Sequence, residues 1–189
     1  MKKLMIIAAA AALAAFVFFT VLYFLNPFGV ILSLAVTFGT IAYHFWMRLI
    51  VGYAVNAVMH NRADYTRGIY QLKPFERKLY SFLKVKVWKD KMPTFDADRF
   101  DSSVKSWDEI AQAMCQAEIV HKIIVVLSFV PLLFSIWFGD FPIFLITSIL
   151  AALFDLMFVI MQRFNRPRVI RMIYIQKKRR GARAANPRN

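Results

Sequence analysis

An all-α integral membrane protein, with four transmembrane helices and both termini cytoplasmic, is the fold class the sequence predicts. Three observations predict it. The 189 residues are 59% apolar with a mean hydropathy of +0.50, too oily for an ordinary soluble domain. Four apolar stretches, 4–25, 28–47, 119–138 and 141–161, come close to the ~20 residues that cross a bilayer. The 25 Lys and Arg, against 11 Asp and Glu, gather almost entirely on what would be one side of a four-span chain.

The first stretch follows Met1-Lys2-Lys3 and is rich in alanine, which imitates a secretory signal. It ends in bulky residues and offers no small-x-small cleavage site before Asn26-Pro27, so a retained first helix is expected. Asn26-Pro27 then makes a tight turn, because Pro blocks helical continuation but suits the start of the next helix. The third stretch draws in Ile119 and Val120, with Lys122 snorkelling toward the head groups.

Orientation follows from the charges. Residues 62–105 hold 11 basic residues and residues 163–189 hold 10, whereas Asn26-Pro27 and Gly139-Asp140 hold none. The positive-inside pattern therefore puts both termini and the long middle connection in the cytoplasm, in a multi-pass protein of the cell membrane. That connection, 60–116, lacks the apolar content for a core of its own and is expected to lie on the membrane surface. Its Arg77–Trp88 part interleaves Lys with aliphatic and aromatic residues, as interfacial segments do. Asp96–Asp101 reads as an acidic turn. Ser106 followed by Trp107-Asp108-Glu109 reads as a helix N-cap. The tail from Lys177 to Asn189 is basic and expected to be disordered.

Several chemistries are excluded at this level. The single Cys115 has no second cysteine to pair with and no Cys/His spacing that would hold a metal, so no metal and no redox centre is expected. The aromatic residues belong to the spans and membrane-facing stretches, which argues against nucleic acid as a partner. Membrane lipids are the expected partners.

Four groups of residues carry possible chemistry. Glu118 and His121 lie three apart and share a helix face. A carboxylate that orients an imidazole makes a general base for a hydroxyl nucleophile, and the bland alternative is an interfacial salt-bridged pair. Gln162, Arg163, Asn165, Arg166 and Arg168 crowd the end of the fourth span, where Pro167 is expected to stop the helix. Fork-shaped Arg donors suit phosphate or carboxylate. A positive-inside stop signal explains the arginines equally well but not Asn165. Asp155 lies inside the fourth span and needs a partner. His44 and Arg48, four apart on the second span, are the expected ones, whether for structural pairing or for binding substrate. Trp88, Lys89 and Lys91 form an aromatic-basic knot that is either an interfacial anchor or part of a site.

The runs Val87-Trp88-Lys89-Asp90-Lys91-Met92-Pro93, Cys115-Gln116-Ala117-Glu118-Ile119-Val120-His121 and Gln162-Arg163-Phe164-Asn165-Arg166-Pro167-Arg168 occur in that order. Together they resemble the glycosyl-4,4'-diaponeurosporenoate acyltransferase family over roughly residues 80–181. The resemblance implies a small membrane acyltransferase that esterifies a hydroxyl of a glycosylated lipid. It implies Glu118 and His121 as the acid/base pair, Asn165, Arg166 and Arg168 as donors to the acyl donor or the oxyanion, and Trp88, Lys89 and Lys91 as the membrane-surface side of the site. Lys122 stands where an aromatic often follows the histidine, and Asp155 where the family has an amide. No bound cofactor is implied; an acyl thioester such as acyl-CoA is the expected co-substrate, and a glycolipid the expected acceptor. Two other readings stay open: a small membrane methyltransferase or reductase, and a non-enzymatic lipid-binding scaffold.

Overall fold

The computed structural model describes residues 2–93, 95 and 97–185. The described residues form helices joined by turns and short irregular segments, with no strand: α1 Lys2–Leu25, α2 Gly29–Met59, α3 Pro74–Phe82, α4 Val85–Trp88, α5 Trp107–Leu127, α6 Ser135–Phe138 and α7 Phe141–Ala185. Four helical stretches are long and apolar enough to cross a membrane: Lys2–Leu25, Gly29–Met59, Trp107–Phe138 and Phe141–Ala182. Phe24, Val30, Ile136 and Trp137 are among the many large apolar side chains left exposed on them, which lipid tails would cover.

Three of the four are longer than the hydropathy pattern predicts, because charges that hydropathy treats as boundaries are neutralised inside the helices. In α2 the chain continues past Arg48, whose guanidinium pairs with Asp155 while Nη1 donates to the His44 carbonyl at 2.9 Å. The helix stops only where His60 and Asn61 take positive φ of 50° and 56°, a conformation that Asn tolerates well. The third span starts early, at a capping box. Ser106 N donates to Glu109 Oε2 at 2.9 Å and Glu109 N donates to Ser106 Oγ at 3.3 Å. It breaks after Leu127, where Pro131, lacking an N–H, turns Val130–Phe134 into a 3₁₀ stretch before α6.

In α7 the structure corrects two expectations. Pro167 does not end the helix, which runs to Ala185 with Pro167 inside it. The lost bond to the Arg163 carbonyl and the ring's crowding of it are a real cost. It is offset because Arg163 and Arg166, in the turn just before Pro167, are anchored by multiple hydrogen bonds. The basic tail is likewise helical as far as Ala185 rather than disordered; residues 186–189 lie outside the described residues, as does Asp96 of the acidic turn. The rest of that turn, Ala97–Phe100, is a 3₁₀ turn.

The chain divides into two compact units. One comprises residues up to Ala54 with Ile123–Asp155. Ala9, Ala12, Ala35 and Ala42 are among its buried small residues, which let helices approach closely where lipid supplies no hydrophobic drive. Gly39 shows how close: a Cβ there would meet the Phe16 ring at 2.9 Å. Trp46 Nε1 donates to the Ala9 carbonyl at 3.2 Å, Phe19 stacks on Phe38, and Tyr43 Oη donates to the Leu127 carbonyl at 2.8 Å. The Arg48–Asp155 ion pair, with Asp155 only 1% exposed, lies inside this unit.

The second unit comprises Val55–Lys122 and the residues from Leu156 onward. Its core holds Tyr70, Tyr80, Val85, Ile110, Met114, Cys115, Val159 and Ile173, so the long connection gains from α5 and α7 the core its own composition lacks. An amide network ties the end of α2 to α5. Asn61 N donates to Gln116 Oε1 at 2.7 Å, Gln116 Nε2 donates to Asn56 Oδ1 at 3.1 Å, and Arg99 Nη1 reaches Asn61 Oδ1 at 3.2 Å.

Removing one partner of the buried Arg48–Asp155 pair leaves the other charge uncompensated, which costs ~3–5 kcal/mol. Thermal unfolding in detergent is expected to show D155A strongly destabilised, and the double variant R48M/D155L recovering most of the loss.

Candidate active site

The densest buried charge in the molecule lies in the second unit, around Glu118. This carboxylate is fully buried. Oε1 accepts from Arg163 Nη1 at 2.7 Å and from Lys122 Nζ at 2.5 Å, and Oε2 accepts from Arg166 Nη2 at 2.5 Å. A second carboxylate closes the other side of Arg163. Glu76 Oε1 accepts from Nε at 2.6 Å and Oε2 from Nη2 at 2.8 Å, a bidentate fork.

Backbone carbonyls take most of the remaining donors. Arg163 donates to the Ile69 and Gln71 carbonyls, each at 2.9 Å, and Arg166 to the Tyr70 carbonyl at 2.7 Å and more weakly to that of Met114 at 3.3 Å. The Arg166 guanidinium also lies 5.3 Å from the Tyr70 ring centroid, a cation–π contact. One donor stays outside this accounting: Arg166 Nε is buried without a partner.

Local sequence explains why these side chains converge. Pro74 starts α3 and Glu76 stands at its third position, where Oε2 accepts from the Lys73 amide at 2.6 Å; the same residue thus caps the helix and clamps Arg163. Arg163 and Arg166 are three apart on α7, and Glu118 and Lys122 four apart on α5, so each pair shares a helix face. Burial pushes the Glu76 carboxyl up, but hydrogen bonds from Arg163, the Lys73 amide and Tyr80 outweigh it and hold its pKa down at about 2. Tyr80, buried and donating to Glu76 at 3.0 Å, is pushed up to about 12.

The arrangement is a set of fixed charges. With both oxygens of Glu118 held by cations, its chemical capacity is to position Arg163, Arg166 and Lys122. One turn further along α5, the His121 ring stacks on Phe158 with centroids 4.5 Å apart and planes 7° from parallel, which fixes the plane in which its nitrogens can act.

Of the residues the sequence singles out, Glu118, Arg163 and Arg166 are brought into direct contact. Gln162 is buried beside them in sequence, Asn165 is half-buried, and Arg168 is exposed with its guanidinium 5.1 Å from the Phe164 ring centroid. Trp88 and Lys89 bond within their own segment, Trp88 Nε1 to the Leu83 carbonyl at 3.0 Å and Lys89 to Asp90, and Lys91 is exposed. In the first unit, Arg48 joins Asp155 to the His44 backbone, while both His44 ring nitrogens are buried without a partner.

Glu76 and Tyr70 lie outside the sequence runs that point to a site. A signal for Glu76 was present: it is the only acidic residue between Asp64 and Asp90 in a strongly basic stretch, two positions after a helix-starting Pro.

Residues 66–175 match the family model described as glycosyl-4,4'-diaponeurosporenoate acyltransferase. The chain belongs to that family. Neither the curated proteins nor the solved structures gave a match. The family's span takes in Glu76, Glu118, His121, Asp155, Arg163 and Arg166 and excludes His44 and Arg48. Family membership supports transferase chemistry in carotenoid biosynthesis, and the four apolar helices fit a transmembrane member.

Glu76→Gln breaks the bidentate clamp and leaves Arg163 short of a counter-charge, with an expected loss of roughly 3 kcal/mol at neutral pH. Because the folded pKa lies below the ordinary 4.5, the ionised carboxylate stabilises fully above that value. Its contribution fades as the pH falls from 4.5 toward 2. Melting curves of the wild type and E76Q are therefore expected to converge over that interval.

Proposed function

We propose that this protein is a cell-membrane acyltransferase that esterifies a hydroxyl of a glycosylated lipid, a carotenoid glycoside or related glycolipid, with a fatty acyl chain from an activated thioester donor. Both termini and the charged unit face the cytoplasm in this reading, supported by the concentration of basic residues in 62–105 and 163–189. The observation that carries it is the clamped Glu118–Arg163–Arg166 cluster, which lies within the span matched by the family model and is set one helical turn from His121.

The chemistry needs a base, a stabilised oxyanion and a protonated leaving group. The acceptor hydroxyl oxygen attacks the acyl carbonyl carbon while His121 takes the hydroxyl proton. The new C–O bond forms, the C–S bond breaks, and the proton passes from His121 to the leaving thiolate. Stacking on Phe158 holds the imidazole plane during both transfers. Glu118 is a positioning residue: its carboxylate fixes Lys122 and the two arginines, so that positive potential stands beside the carbonyl as its oxygen gains charge. Lys122 Nζ, at the half-exposed end of the cluster with 45% of its side chain exposed, is the cation best placed to meet that oxygen.

His121→Gln keeps a planar polar group of similar reach but removes the base. Expression of H121Q at wild-type level is expected to abolish the acylated glycolipid in lipid extracts analysed by mass spectrometry, with its unacylated precursor accumulating. An unchanged lipid profile in a strain lacking the gene would sink the assignment. E118Q is expected to lower the amount of folded protein as well as the product, as a positioning residue should.

A further inference from the structure

The second unit contains a cleft that the charged cluster does not use. It lies where the start of α5 meets the basic end of α7, has a volume of ≈ 240 Å³, and is lined by Trp107, Met172, Ile175, Gln176 and Arg179. A larger groove of ≈ 470 Å³ shares Ile175 and Arg179 with it and adds Arg171, Tyr174 and Lys178. The lining combines an indole, a second aromatic ring, an amide and three cations.

Those three cations carry no ion pair among the described residues, although carboxylates stand close in sequence to Trp107. Asp108 is taken by Tyr65 Oη at 2.6 Å and by Gln112 at 2.8 Å, and Glu109 by Ser106 and Lys105. The local field is therefore positive, with donors that suit phosphates and an indole on which a planar base can stack.

The spacing to the cluster acts as a ruler. From Trp107 to His121 is 14 positions along α5, and from Arg166 to Arg179 is 13 along α7. At 1.5 Å per residue, Trp107 and Arg179 each stand about 20 Å along their helices from the His121 end, and Arg171, five positions past Arg166, about 8 Å from it. A pantetheine arm has two amides and, with the phosphate that carries it, the length of about five extended residues, hence roughly 17 Å. A phosphorylated nucleotide seated in the cleft would thus deliver a thioester on such an arm to His121.

We propose that this cleft binds the nucleotide end of the acyl donor, a coenzyme A thioester, with the base on Trp107, the phosphates on Lys178 and Arg179, and Arg171 beside the arm. The proposal rests on the acyl-transfer reading above and names the donor for it. An anionic lipid headgroup shares the phosphate chemistry, but it brings no base for the indole and no arm of this length.

The test uses the full-length protein in dodecyl maltoside, titrated with coenzyme A while tryptophan fluorescence is followed. Saturable quenching is expected. It should be lost in W107F and shifted at least tenfold to higher concentration in K178A/R179A, where two charged hydrogen bonds are removed. Both variants alter partly or fully exposed side chains, and unchanged circular dichroism would show that they fold. No saturable quenching, or quenching that the variants leave unchanged, overturns the proposal. So does equal competition by inorganic phosphate or by phosphatidylglycerol nanodiscs, which would make the groove a general phosphate surface. If coenzyme A does not bind while the cell still makes the acylated glycolipid through this protein, the donor assignment falls and the acyl-transfer reading stands. If coenzyme A binds through these residues but deleting the gene leaves the lipids unchanged, the nucleotide site stands and the acyl-transfer reading falls.

Discussion

Burying Glu118 constrains everything around it. A carboxylate with no exposure cannot stay ionised without close counter-charge and full hydrogen bonding, and here Arg163, Arg166 and Lys122 supply both. The two arginines are in turn too well hydrated to be buried by one anion. They draw in Glu76 and the carbonyls of Ile69, Tyr70, Gln71 and Met114. Segments distant in sequence are held together by that requirement: the connection before α3, the start of α3, the middle of α5 and the centre of α7.

The same requirement explains the irregular features nearby. Pro167 sits inside α7 because the turn that contains it is fixed from outside by arginine side chains, so the loss of one backbone bond does not release the helix. The chain between Tyr65 and Gln71 has little regular structure. The carbonyls of Ile69, Tyr70 and Gln71 point to Arg163 and Arg166 instead of to a helix ladder, a legitimate destination for buried backbone acceptors. Glu76 contributes twice, as a first-turn acid that caps α3 and as the second clamp on Arg163.

How much of this was legible in the sequence depended on the range of the interaction. The four apolar stretches and the Ser106–Glu109 cap are local patterns, and the helices follow them. The pairing of Arg48 with Asp155 was also accessible, because a charge inside a span must find a partner and few were on offer. Helix ends were misjudged wherever a distant partner neutralised a charge: α2 runs beyond Arg48, and α7 runs through Arg163, Arg166 and Pro167. In the candidate site, the motif residues Glu118, Arg163 and Arg166 were visible, and so was the Glu118–His121 spacing. The direction of Glu118's bonds was not, since nothing local distinguishes a carboxylate that orients a histidine from one enclosed by cations from another helix.

Enclosure by cations changes what Glu118 is for. A buried ionic cluster is seldom the most stabilising filling for its volume; apolar side chains of the same shape often do as well or better. Its retention therefore points to what apolar groups cannot supply, namely geometry and field. Geometry comes from the forks, which fix α5 against α7 at the turn next to His121. The field comes from imbalance. Three cations meet two carboxylates in the cluster, Lys122 is its most exposed member, and Arg166 Nε is a buried donor left over. A reaction that creates an oxyanion beside a histidine needs this combination of a rigid frame and a positive potential already in place. The most buried charges in the molecule thus act through the half-buried histidine one turn away.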